Sequence, residues 1–157
     1  MKSNSGFTLL ETLIYIGLVS VITSSFIAAS YQIIDSRGRV QSQLELTENK
    51  KFLVEKLRWV LASNQSINLP GLGSSDANLS VNKLNYGNNP LVVNLALNQI
   101  WLTLGSGQPV PITNSQVVAT NLTFTHQDLS NRSVIRIQAT VQNAVGSVLV
   151  DTIIPVK

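Results

Sequence analysis

The feature that most constrains this chain is an apolar run over residues 7–34 whose only charge is Glu11. A helix needs about 20 mostly apolar residues to cross the hydrocarbon of a bilayer, and this run is longer. It contains no proline, so no ring clash breaks a helix there. Gly17 weakens it slightly, and its serines and threonines can bond back to carbonyls of the preceding turn. The whole chain is 44% hydrophobic and 12% charged. The run holds a large share of those apolar residues, so the remainder is more polar than the averages suggest.

Three readings of the run compete. A secretory signal peptide would use Ala28-Ala29-Ser30 as its small-residue cleavage site, but the run is too long for an ordinary signal core and carries an acid near its start. A plain signal anchor fits the length. Charge does not orient it, because Lys2 stands on one side and Arg37 and Arg39 on the other. The third reading rests on a specific string, a short polar leader with Lys2 followed by Gly6-Phe7-Thr8-Leu9-Leu10-Glu11. A lone carboxylate at a fixed place in an apolar helix is costly, roughly 2.5–3.5 kcal/mol at mid-membrane. It is therefore an informative residue.

That string resembles the cleavage and methylation motif of type IV pilin-like proteins. The likeness covers the leader and first helix, about a third of the chain. It implies that a prepilin peptidase cuts after Gly6 and methylates the new amine of Phe7. Loss of Lys2 with the leader would take the formal charge from +3 to +2. It also implies that Glu11 pairs with the terminal amine of a neighbouring subunit during assembly. The expected partners are other pilin or pseudopilin subunits, the prepilin peptidase, an inner-membrane assembly platform and membrane lipids. The expected location is the inner membrane, single-pass with the head outside the cytoplasm, and then a pilus or pseudopilus filament.

Beyond the run the helix is expected to continue to about Ser63. Leu46, Leu53, Leu57, Val60 and Leu61 recur at helical spacing and form one apolar face, with Glu48, Lys51, Lys56 and Arg58 elsewhere. Gly38 is a possible bend. About 55 helical residues would reach roughly 80 Å. Residues 64–78, with Pro70, Gly71, Gly73 and Asp76, read as a loop. Short β-type runs follow: residues 91–97 and 100–104 as a hairpin about Asn98-Gln99, a turn at Gly105-Ser-Gly107, an imperfectly alternating stretch at 117–124, a clean alternation at 134–141, and a last run at 148–154. The fold class is α+β, a long N-terminal helix on a small antiparallel sheet, and the order also resembles the pilin fold. The boundaries are a leader at 1–6, a transmembrane or filament-core helix at 7–34, an amphipathic continuation at 35–63 and a β-rich head at 64–157.

No catalytic constellation emerges, and a non-enzymatic role is expected with no cofactor and no metal. Cysteine is absent, which excludes disulfides and thiolate chemistry. His126, the only histidine, stands in a polar stretch and reads as a surface residue. Asp76, Asp128 and Asp151 are dispersed. Gly71-x-Gly73 follows a helix instead of opening one, unlike a phosphate loop. Loop oxygens can hold calcium, but no acidic cluster points to it. Trp59 and Trp101 read as packing residues. The basic residues Lys50, Lys51, Lys56 and Arg58 make only a loose cluster, so no nucleic-acid partner is expected.

Within the family, the head lacks a cysteine pair, and Ala28 stands near the place of the family's helix-bending proline. Ile67-x-x-Pro70, the hairpin about Asn98-Gln99 and Asn121-Leu-Thr-Phe124 are similar to J-type minor pseudopilins of type II secretion. The resemblance implies a minor subunit acting in filament initiation or at the tip. The alternative is a single-span anchored, exported binding or adhesin domain, which would not need Gly6-Phe7 with Glu11.

Overall fold

The computed structural model describes residues 8–156, and the chain divides into two compact units, residues 1–41 and 42–157. One helix, α1 (Leu9–Leu61, 53 residues), runs through the boundary. It continues unbroken through Gly17 and Gly38. The helix ends within two residues of the expected place, because Ser63 takes a left-handed φ of 51°.

In the first unit every described residue, from Thr8 to Gln41, is exposed. Its hydroxyls are turned inward on the helix. Ser20, Thr23, Ser24, Ser25 and Ser30 each donate to the carbonyl four residues back at 2.7–2.8 Å. This helix is long and apolar enough to cross a membrane.

The second unit is an α+β head. Among the described residues nine strands follow the helix: β1 (Asn64–Leu69), β2 (Ser75–Asp76), β3 (Leu79–Lys83), β4 (Leu91–Ala96), β5 (Gln99–Leu104), β6 (Val110–Pro111), β7 (Val118–Leu129), β8 (Arg132–Gln142) and β9 (Ser147–Pro155). The single sheet expected is in fact two, both antiparallel, ordered β1-β3-β4-β5-β6 and β2-β7-β8-β9. The apolar stripe of α1 is buried as its spacing requires: Leu53, Leu57 and Val60 are wholly buried, and Leu46 and Leu61 nearly so. They share one core with Leu79, Val81, Leu91, Val93 and Ile100 of the first sheet and Phe124, Ile135, Ile137, Val141 and Val150 of the second.

Three local expectations are corrected. Residues 64–78 are not one loop, since they hold β1 and β2. Strand β1 is polar and bulged where its register with β3 shifts, so it carries no alternation to read. The β4–β5 turn is centred one residue earlier than expected, on Leu97-Asn98, with φ of 50° and 60° and Ala96 paired to Gln99. The imperfect alternation near 117–124 is a bulge. Asn121 has φ 54°, the register of β7 against β8 shifts between Thr120 and Thr123, and the buried positions step from Ala119 to Leu122 and Phe124. By contrast β8 alternates as expected, with Ile135, Ile137, Ala139 and Val141 all facing the core.

The turn at Gly105-Ser-Gly107 needs glycine at its first position. Gly105 has φ 56°, and an added Cβ would lie 3.2–3.3 Å from the backbone of Asn88 and Asn89.

Candidate functional site

Gly6 and Phe7, the cleavage pair and methylation site implied by the resemblance, lie outside the described residues. Glu11 lies inside them, in the first turn of α1. Thr8 precedes the helix, and its Oγ1 accepts the Glu11 amide at 3.3 Å. Thr12 donates from both its amide (3.2 Å) and its Oγ1 (3.3 Å) to the Thr8 carbonyl. Thr8-Leu-Leu-Glu11 therefore has the spacing of a capping box, with threonine satisfying an orphan amide at the helix start and glutamate three residues on. The carboxylate sits at the positive end of the helix dipole. The S/T-x-x-E pattern alone could have disclosed this role of Thr8. Leu9, Leu10, Leu13 and Ile14, close to Glu11 in the chain, are exposed. The next charges along the helix are Asp35, Arg37 and Arg39, of which Asp35 and Arg39 pair at 3.2 Å on a well-exposed face.

The head offers no comparable concentration of reactive groups. Among the described residues, no three His, Cys, Asp or Glu side chains gather where a metal could bind. His126 is not on the surface. It is 9% exposed, held between the Pro70 carbonyl (Nδ1, 3.0 Å) and Ser133 Oγ (Nε2, 2.6 Å). A carbonyl only accepts, so Nδ1 carries a proton toward Pro70, and in the neutral ring Nε2 accepts from the Ser133 hydroxyl. The backbone of His126 also binds Gly73 and Ser74. The residue thus pins the loop after β1 to β7, and that loop is what the Gly71-x-Gly73 pattern serves.

Trp59 is 40% exposed, on the rim of the helix–sheet packing instead of within it. Lys83 Nζ lies 4.1 Å from its ring centroid and Lys56 Nζ 5.4 Å, while Tyr86 meets it edge-on at 6.1 Å. Trp101 Nε1 donates to the Ala96 carbonyl at 2.8 Å across the β4–β5 hairpin. Of the three aspartates in the head, Asp76 accepts the Asn78 amide in a local turn at 2.7 Å. Asp151 is gripped by Arg136, Nε to Oδ1 at 2.9 Å and Nη2 to Oδ2 at 2.6 Å. That cross-strand pair was invisible in sequence, because its residues stand fifteen apart.

Compared with protein-family models, curated proteins and solved structures, the chain matches none.

Proposed function

We propose that the chain is a structural subunit of a type IV pilin-like filament, a minor pilin or pseudopilin of a pilus or type II secretion system. In this reading it is cut between Gly6 and Phe7, anchored in the inner membrane with its head outside the cytoplasm, and then drawn into the filament at initiation or at the tip. The role is mechanical, with no reaction assigned to the head. The observation that carries the reading is the division of labour along α1. From Leu46 onward the helix closes the core of the head, whereas residues 8–41 bury nothing within their own chain. Exposed apolar surface of that extent is covered by lipid or by other chains. The inward-bonded hydroxyls suit either cover.

A second reading is a single-span anchored binding or adhesin domain. The Glu11 carboxylate in the first turn of α1 is favoured by the positive end of the helix dipole, a local use that needs no filament. Mass spectrometry of the N-terminus of membrane-extracted protein separates the two. The filament reading requires N-methylated Phe7. A chain retaining Met1, or starting near Ser30, would sink it. Replacing Gly6 by a bulky residue should leave uncut precursor.

A further inference from the structure

Four strands form the edges of the two sheets, namely β1 and β6 in one, β2 and β9 in the other. An edge strand displays unpaired amides and carbonyls to any passing chain, and proteins blunt such edges by shortness, bulges or charge. Three of the four are blunted. β2 and β6 have two residues each, and β1 is polar and bulged twice. β9 is not. It has nine residues, SVLVDTIIP, in unbroken register with β8.

The direction of its backbone groups follows from one hydrogen bond. The Val156 amide donates to the Ser133 carbonyl at 2.9 Å. In an antiparallel ladder, bonded and non-bonded pairs alternate. Residues 154, 152, 150 and 148 therefore bond to β8, and Leu149, Asp151 and Ile153 direct amide and carbonyl away from it. The same three residues carry side chains on the solvent face. Leu149 is 59% and Ile153 49% exposed, with the Arg136-bound Asp151 between them. Only Pro155, at the far end, lacks a donor.

We infer that the free edge of β9 is a docking site for an extended segment of another protein chain, which adds as a fifth strand to the second sheet. The chemistry of the occupant is set by the edge. Backbone groups supply the pairing. Leu149 and Ile153 call for apolar side chains two residues either side of the centre. Asp151, bonded on the β8 side by Arg136 and Gln138 and still 32% exposed, takes lysine or arginine at the centre, continuing the cross-strand charge ladder begun by Arg136.

The test uses the full chain in detergent micelles and the synthetic peptide Thr-Thr-Val-Thr-Lys-Thr-Val-Thr-Thr, titrated by NMR. Binding should slow amide exchange at Leu149, Asp151 and Ile153, and should weaken at least tenfold when the central lysine is glutamate. Ile153→Pro removes an outward amide without touching the bonds to β8, because proline is tolerated where an edge N–H faces solvent. It should abolish binding while leaving the thermal transition in place. Asp151→Lys should reverse the preference between the two peptides. Unchanged binding in Ile153→Pro, or protection of amides elsewhere than β9, overturns the proposal. So does a sedimentation result in which the wild type self-associates and Ile153→Pro does not, since the edge would then belong to a second copy.

Discussion

The Lys83 ammonium donates to the Trp59 carbonyl at 2.6 Å while lying over the ring of the same tryptophan. Trp59 is in the last turn of α1, where its carbonyl also accepts a long bond from the Ala62 amide at 3.3 Å. A cation from β3 thus closes the C-terminal end of the helix and ties it to the first sheet.

The first prediction concerns that tie. Lys83→Met keeps much of the apolar stem but removes the charge, so the Trp59 carbonyl is left with the long bond from the Ala62 amide and its ring no longer faces a cation from β3. The head should lose about 1–3 kcal/mol in denaturant titration of the full chain in micelles. The pH dependence has a definite sign. Burial pushes the Lys83 ammonium below its ordinary value of 10.5. Between the folded value and 10.5 the unfolded chain holds a proton that the folded protein releases, so stability rises with pH in that window. The difference between wild type and Lys83→Met isolates this slope from other titrating groups.

The second prediction tests the helix stripe. Leu57 is wholly buried among both sheets. Leu57→Ala should cost about 2–5 kcal/mol. Glu48→Gln and Lys51→Gln, on exposed positions, should stay within about 0.5 kcal/mol. Equal effects at both kinds of site would show that the stripe does not bear the packing.

The third prediction addresses a strained turn. Leu97 holds φ 50° at the first position of the β4–β5 turn, with its side chain 88% exposed. Left-handed backbone disfavours leucine, and two-residue hairpin turns of this kind prefer asparagine or glycine. Leu97→Asn should raise stability by about 0.5–1 kcal/mol, read as a shift in the chemical-denaturation midpoint. A loss of stability would mean that the exposed leucine makes contacts worth more than the strain.

A fourth prediction concerns acid. The Arg136 guanidinium holds the Asp151 carboxyl below its ordinary value of 3.8, through hydrogen bonds and charge. Its contribution to stability is therefore complete above 3.8 and disappears as pH falls through the lower folded value. Carboxyl-carbon NMR should place the Asp151 midpoint below 3.8, and Arg136→Met should move it up toward 3.8. No such movement would mean that the pair is not held in solution.

Much of this head could be read from sequence wherever one physical rule acted alone. The stripe from Leu46 to Leu61 and the alternation of β8 each follow a single period, and both are buried as read. What escaped were places where tertiary context overrode local signal. β1 is polar, and its pairing with β3 makes it a strand. Asn121 inserts a residue and flips the phase of β7. His126 is buried because the Pro70 carbonyl and Ser133 hydroxyl, neither of them its neighbour in the chain, satisfy its ring. Leu97 breaks the turn preference that would have located the hairpin. At the candidate site, Glu11 stood out by charge alone. Its cap from Thr8 was equally legible in the spacing, but was overshadowed by the motif around it.

The last prediction separates the two uses of Glu11. The structure gives it a local one, at the N-terminal turn of α1 beside the Thr8 cap. The proposed function adds a second, pairing with the terminal amine of an adjacent subunit once Phe7 is the first residue. The two respond differently to substitution. If only helix initiation matters, Thr8→Val should be the more harmful change, since it removes the hydroxyl that caps the Glu11 amide at a cost of about 1 kcal/mol, whereas glutamine keeps that amide and fits the capping box as glutamate does. If intersubunit pairing matters, a neutral side chain inside an apolar assembly forfeits an ion pair that lipid cannot replace. Glu11→Gln should then leave membrane insertion and cleavage intact but reduce cross-linking to partner subunits severalfold. Thr8→Val should leave cross-linking near the wild-type level. Both proteins are to be examined in membranes, with processing measured in the same samples. Cross-linking that stays at the wild-type level in Glu11→Gln would assign Glu11 to the helix start alone, and assembly would then be driven by packing of the exposed apolar surface of residues 8–34.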